Sequence, residues 1–389
     1  MTWRHQQAPQ HGQKGQAQGT NMYWQQGNAF DRTPRNFSDF NLLGLIDGEY
    51  KIYLSGQPQS GKKLLMDPLT QGVLGATVAQ SSTRRNRNLK LAAAAGWIGG
   101  MAADLDVLIR SGSDPLLSLE YHRHFTHSLA FIPVGGVLVG IFCSLVTRKR
   151  HNLRDMVLFS TIGYATHGLL DAFTSYGTQL FQPFADTRFS WDAIAIIDPF
   201  YTVPLLIGMF VTLKTCHAKW ARWSLLFASL WMAFGAWQHH TLMAAQQALA
   251  SSRGQHVEHG RVMPLLMGLN KMFSWRSVYK SGDMLYVDGM RYRPFASPEI
   301  AAGGAAPYFD AAAFAASLPE GSPLAHDLTR FEWFADGLTT RMPDDPSIIV
   351  DMRYSAHGPS LKPLWGIKMD EAHPGKHITR VSFNRLTGD

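Results

Sequence analysis

Between residues 89 and 245 the chain carries long apolar stretches broken by short loops rich in arginine and lysine, and this alternation limits the folds open to it. A helix needs about twenty apolar residues to cross the hydrocarbon of a bilayer. Inside that hydrocarbon the backbone must satisfy its own hydrogen bonds, so helices are the natural spanning element. Five stretches near that length occur, at 89–109, 128–147, 155–173, 194–213 and 221–241. Before them DPLTQGVLGATVAQ predicts a helix capped by Asp67 with Pro68 in its first turn. It is short for a span, which leaves an interfacial, a re-entrant or a short, deeply placed helix open. The pattern predicts an α-helical membrane bundle of about five spans plus a short preceding helix.

The two ends differ from this middle. Residues 1–65 are rich in Gln, Gly, Asn and His and predict a disordered or weakly structured polar extension. Residues 66–245 form the helical transmembrane domain. From residue 246 to 389, segments such as DMLYVDGMRYRPF and SIIVDMRYS place β-favouring residues between turn signals, predicting a small strand-rich soluble domain, α+β or β-rich. The net charge of +7 would suggest nucleic acid in a soluble protein. Here the basic residues border apolar stretches, at Arg84 to Arg87, Arg148 to Arg150 and Lys214 to Arg222. That is the pattern of cytoplasmic loops, so the expected partner is the lipid bilayer and no nucleic acid is expected. The same rule puts loops 110–127 and 174–193 and the C-terminal domain on the non-cytoplasmic side. The first sixty residues contain no apolar signal-peptide core, so insertion is expected to rely on the spans. Cys143 and Cys216 form no CxxC pair.

Polar residues are costly near hydrocarbon and therefore informative. Asp104 and Asp106 close the first span. His122, Arg123, His124 and His127 lie in HRHFTHS before the second, His167 and Asp171 in HGLLD at the end of the third, and Asp186, Arg188, Asp192 and Asp198 lead into the fourth. The topology maps all four clusters to one membrane face. His167 and Asp171, four apart, share a helix face. Asp104 and Asp106, two apart, would splay on a regular helix and take unequal roles. Mixed His and Asp donors suit a divalent metal such as Zn or Mn. Simpler roles exist for single clusters, notably helix capping by Asp198 before Pro199, and His239 and His240 end the fifth span on the same side.

The motifs MDPLTQGVLGA, DLD, HRHFTHS, HGLLDAFTSYGTQLFQPF and DPFYTVPLLIG, followed by SWRSVY and RFEWFADG, resemble the YdjM-type membrane-bound metal-dependent hydrolases of bacteria. The resemblance implies a multi-pass inner-membrane protein, a divalent metal and hydrolysis, and names no substrate. It carries the family's acidic pair onto Asp104 and Asp106, its HR..TH signature onto His122, Arg123 and His127, and its HxxxD onto His167 and Asp171. The usual PDLD stands here as ADLD, with Ala103 in place of proline. His124 stands where the family often has glycine. Family members commonly begin at a position like Met66.

These readings combine into one mechanism. A metal sits among Asp104, His122, His127, His167 and Asp171, more donors than the usual three of a catalytic zinc. Asp106 orients the attacking water or takes its proton, and Arg123 stabilises an anionic substrate or developing charge. The position at the membrane rim suggests a lipid-linked or envelope substrate, and the C-terminal domain is expected in the periplasm. A metal or ion transporter and a non-catalytic, metal-stabilised membrane protein are the alternatives.

Overall fold

The structure, a computed structural model, describes residues 68–265 and 273–383. The extension 1–65, with His5 and His11, and the expected cap Asp67 lie outside the described residues.

Seven helices form the first part: α1 (Pro68–Ser81), α2 (Leu89–Ala102), α3 (Leu117–Glu120), α4 (Ile132–Val146), α5 (Leu153–Ala172), α6 (Pro199–Thr215) and α7 (Lys219–Ser252). Helix α1 is the deeply placed one of the three alternatives. From Thr70 to Gln80 every residue but Val78 is buried, and α2, α5, α6 and α7 all pack against it. Glycines make this possible. A Cβ at Gly75 or Gly96 would strike the carbonyl oxygen of the other, so the α1 and α2 backbones touch directly. Val73 and Leu74 then meet Leu170, Tyr201, Leu205 and Ala228 in one apolar core.

Among the described residues two segments are both long and apolar enough to cross a bilayer, Leu89–Leu108 with 20 residues and Leu129–Val146 with 18. The count of five expected spans therefore reduces to two by this measure, for three physical reasons. Helix α5 has 20 residues but buries Ser160, Tyr164, His167 and Asp171. Helix α6 is apolar but has 17 residues. Helix α7 has 34 residues, about 51 Å of helix, and its C-terminal turns leave the bundle to join the strand-rich part. The outward faces remain apolar: Leu138, Phe142 and Leu145 on α4, Ile207 and Phe210 on α6, and Trp223 and Leu230 on α7 are exposed.

The C-terminal part holds two antiparallel sheets in simple meander order. The first is β1 (His259–Pro264), β2 (Ser274–Ser281), β3 (Met284–Arg291) and β4 (Glu299–Pro307). Helices α8 (Ala311–Ala316) and α9 (Pro323–Ala335) follow, and then the second sheet, β5 (Thr339–Arg341), β6 (Ile348–Asp351), β7 (Trp365–Lys368) and β8 (Thr379–Ser382). Met263, Val278 and Val287 of the first sheet share a core with Leu338, Val350 and Met352. Leu242 of α7 packs with Val262, Trp275 and Met290, so α7 is the strut between bundle and sheets.

The sheets and α9 sit on the loops that carry the polar clusters. Leu116 and Leu119 join the core of Leu328, Phe331 and Ile367. Arg261 grips Asp192 at 2.7 Å, Arg330 reaches Asp114 at 3.0 Å, and the Tyr354 hydroxyl donates to the Ser175 carbonyl at 3.2 Å.

Candidate metal centre

Helix α5 supplies the fixed part of the centre. His167 and Asp171, one turn apart, are both fully buried and face the same way. His167 Nδ1 lies 2.5 Å from the Gly100 carbonyl oxygen of α2. A carbonyl can only accept, so this contact puts the proton on Nδ1 and leaves the Nε2 lone pair facing inward.

At Ala102 helix α2 tightens into a 3-10 turn, Ala103–Leu108, which carries both aspartates. The regular helix assumed from spacing is absent here, yet the two carboxylates do meet different partners. Asp104 Oδ1 lies 3.3 Å from His167 Nε2 and 3.6 Å from His127 Nε2. Asp106 instead organises HRHFTHS: its carboxylate accepts from the Arg123 backbone N–H at 2.8 Å, lies 2.9 Å from His122 Nδ1 and accepts from the Thr126 hydroxyl at 3.4 Å. Arg123 pivots this loop at φ 64°, a left-handed conformation that costs a non-glycine residue about 1–3 kcal/mol. The Asp106 bond to its N–H helps hold that conformation. The short turn Phe125–His127 then delivers His127, fixed from behind as Tyr164 donates to the Thr126 carbonyl at 2.7 Å.

One donor atom each from Asp104, His127, His167 and Asp171 lies within 4.8 Å of the others, and Asp104, Asp106 and His122 form a second such group sharing Asp104. His127 Nε2 is 3.3 Å from Asp171 Oδ2. The six residues of the acidic pair, the HR..TH histidines and the HxxxD pair therefore meet at one place. Arg123 enters through its side chain, with Nε 3.0 Å from Asp171 Oδ2, Nη1 donating to Thr174 at 2.9 Å and the guanidinium 4.7 Å from the Tyr176 ring centre.

Two observations fit this set to a cation. His127 Nε2, His167 Nε2 and Asp104 Oδ2 are buried without a hydrogen-bond partner, and donor atoms of these three residues converge with one of Asp171, whose Oδ2 otherwise meets only charged neighbours. Buried polar atoms are nearly always satisfied, so Asp and His donors left unsatisfied together make this a candidate cation site. Charge gives the second. Asp104, Asp106 and Asp171 face the Arg123 guanidinium and His127, whose proton they hold; once that proton gives way to a metal, two negative charges are left in a buried place. A divalent cation balances them. The neighbouring carboxylates also act on His127: burial pulls its pKa down, but Asp104 and Asp171 outweigh that and bring it up to about 9. Burial dominates at His122 and holds its pKa below the usual value despite Asp106.

The weaker candidates lie elsewhere. His124 packs on Tyr121 and Phe125, outside both groups. Asp198 caps α6 by accepting from the Phe200 and Tyr201 N–H groups and binds the Trp231 indole, the capping role. Asp192 holds Arg261, and His239 Nδ1 contacts the Val262 carbonyl. Gln71 was not singled out in the sequence. Its amide donates to Asp171 Oδ1 at 2.8 Å, which turns Oδ2 toward the histidines. The available signal was a pair of amides, Gln71 and Gln80, in the otherwise apolar and small-residue α1.

A helical bundle with apolar outer faces and an Asp/His centre at one end defines a class of membrane protein, and sequence comparison agrees. The family model described as YdjM inner membrane protein matches residues 66–242, and the chain belongs to that family. A curated relative, the inner membrane protein YbcI of Escherichia coli (strain K12), is 33% identical over 147 residues, covering 35% of this chain and 81% of the relative. The family match ends within α7, so SWRSVY and RFEWFADG lie beyond it. No solved structure matches the chain.

Proposed function

We propose that this inner-membrane protein is a metal-dependent hydrolase acting at the non-cytoplasmic rim of the membrane on a lipid-linked or envelope substrate. The observation that carries the proposal is the convergence of donor atoms from Asp104, His127, His167 and Asp171. The set suits Zn or Mn. A divalent cation held there supplies Lewis acidity, which acidifies water and polarises the scissile bond.

The protein's own groups complete the reaction. Asp106, hydrogen-bonded to His122, orients the attacking water or takes its proton. The water oxygen bonds to the electrophilic centre, and the leaving group departs with the bonding pair and gains a proton. Arg123 is held against Asp171 and Tyr176, so its charge is in place before substrate arrives and stabilises the negative charge that develops. The C-terminal domain covers the loops around the centre and restricts access. The apolar faces of α4, α6 and α7 support a multi-pass bundle that extends to the five segments read from the sequence, with the C-terminal domain in the periplasm. A reporter fused after residue 260 reads that side directly.

The test compares Asp104→Asn with Asp106→Asn in purified protein, measuring metal by elemental analysis and turnover in an envelope-substrate screen. Asp104→Asn is expected to lose metal and activity. Asp106→Asn is expected to keep metal and lose turnover by about 100-fold or more, the usual scale of a general base. Metal retention with normal turnover in both would remove the aspartates from the reaction. Bound metal with no hydrolysis, together with metal uptake into liposomes, would favour the transporter reading.

A further inference from the structure

Beside the metal centre lies a cavity of about 380 Å³, within the size range of small-molecule sites. It forms where the 116–124 loop and the 179–186 loop meet α9, between the bundle and the C-terminal domain. One layer separates it from the centre. The His122 ring is 5.4 Å from Tyr176, Tyr176 is 5.1 Å from Phe334, and Phe334 lines the cavity.

We infer that this cavity binds an uncharged, hydroxyl-rich ring, a glycosyl group, and holds it while the adjacent bond is presented to the metal centre. The link to hydrolysis rests on the proposed function; the binding claim does not.

The lining combines an apolar wall with polar side chains. Leu116, Leu119 and Phe334 form the wall, and Trp333, 44% exposed, offers an aromatic face. Such a face suits the C–H side of a sugar ring. The polar lining is Glu120, Gln179, Asp186 and Arg330, with His124 beside them. These groups are held in advance. Gln182 donates to Gln179 Oε1 at 2.7 Å and to Asp186 Oδ1 at 2.5 Å, and Arg330 reaches Asp114, Asp327 and Glu120 at 3.0, 3.3 and 2.5 Å. A carboxylate can accept several hydrogen bonds, so Glu120 and Asp186 keep capacity for incoming hydroxyl donors. Preformed acceptors reduce the ordering cost of binding.

Charge narrows the ligand further. Arg330 is already surrounded by three carboxylates, Asp114, Glu120 and Asp327, and Asp186 adds further negative potential, so a phosphate is disfavoured here. The Arg188 guanidinium sits 5.0 Å from the Trp333 ring centre, so a ligand stacks only on the part of the ring left exposed, and a cation there meets the repulsion of Arg188. A neutral polyol meets neither repulsion.

The experiment is ligand-observed saturation-transfer NMR on the full-length protein in lipid nanodiscs. The probes are the tetramers of N-acetylglucosamine and of glucose, with inorganic phosphate and cadaverine as charged competitors. The expected result is saturable transfer to at least one tetramer, weakened at least ten-fold by Trp333→Ala and several-fold by Glu120→Gln, undisturbed by either competitor, and kept in Asp104→Asn. If Trp333→Ala does not fold, Trp333→Leu removes the ring while filling the space. No binding of either tetramer, unchanged binding in the Trp333 variant, or displacement by phosphate or cadaverine would overturn the inference. Sugar binding without hydrolysis would count against the hydrolase reading alone, whereas hydrolysis of a substrate lacking sugar, with no tetramer bound, would count against this inference alone.

Discussion

Buried charge is handled in opposite ways by the two halves of the molecule. In the C-terminal domain Arg353 makes a two-pronged pair with Asp351, at 3.0 and 2.8 Å, and Arg276 donates to the carbonyls of Met352, Gly358 and Ser360. Their donors and acceptors face each other and leave little for an outside group. At the end of the bundle, His127, His167 and Asp171 are as deeply buried and Asp104 nearly so, but these four stand 3.3–3.7 Å from one another, too far for good hydrogen bonds among themselves. Closed networks specify a fold. An open one, held by surrounding contacts, specifies a ligand.

The largest expected effect tests the open network. Asp171→Ala removes a donor and also leaves Arg123 buried without its carboxylate. Metal content should fall at least ten-fold, and stability should drop by about 3–5 kcal/mol, the cost of breaking a buried pair. His167→Ala should lose metal without the second penalty, since its Nδ1 partner is the Gly100 carbonyl and no buried guanidinium loses its carboxylate. His124→Ala should keep its metal. Equal metal content in the His167 and His124 variants would break the comparison at its base.

The closed network makes the complementary case. Arg353→Met strands Asp351, which is fully buried, and should cost about 3–5 kcal/mol. Metal content, measured on the fraction that folds, should not change. Adding Asp351→Leu should recover much of the loss, because an apolar pair needs no partner. If Arg353→Met instead emptied the centre, the two halves would be coupled more tightly than their separate networks indicate.

A smaller effect is expected at Gln71. Its amide holds Asp171 Oδ1, so Gln71→Leu should keep the α1 core packed and let the carboxylate turn. Supporting groups of this kind are typically worth 10–100-fold in metal affinity. A value near ten-fold is expected because Arg123 also holds Asp171. Competition with a chelator measures it, and an unchanged affinity would assign Asp171's orientation to Arg123 alone.

Much of the open network was legible in the sequence, and for a physical reason. Histidine and aspartate at the ends of apolar segments have few uses, and the i, i+4 spacing of His167 and Asp171 fixes a shared face. Strand patterns near DMLYVDGMRY and SIIVDMRYS were legible for the same kind of reason: β3 and β6 form there. What periodicity could not show is three-dimensional closure. Gln71 and Tyr176 act across elements, and neither spacing nor local pattern joins them to Asp171 or Arg123. The 3-10 turn at Ala103 was hidden as well, because the stabilising Asp106 bonds come from residues 122 to 126. Length and apolarity alone do not single out α5, where the polar residues of the centre lower its apolarity, or α7, where one helix serves both bundle and sheets.

The smallest expected effect concerns a pair of intermediate kind, between the closed and open cases. His259 Nε2 lies 3.4 Å from Asp336 Oδ2, and both side chains are nearly half exposed. The hydrogen bond to Asp336 raises the His259 pKa above its usual value, against burial and the repulsion of Arg261. A raised histidine contributes stability that is fully present below its ordinary pKa of about 6.5 and is lost as pH rises through the folded value. Water screens a pair this exposed, so the contribution should stay below about 1 kcal/mol. Asp336 also holds Arg261 at 3.0 Å, which remains charged throughout and keeps that contact. The expected outcome is a small fall in unfolding midpoint from about pH 6 to pH 8 that His259→Gln removes, with metal content unchanged. Chemical unfolding at a series of pH values measures it. A slope of the opposite sign, or one that survives His259→Gln, would place the titrating group elsewhere and show that this exposed pair adds nothing to the joint between bundle and sheets.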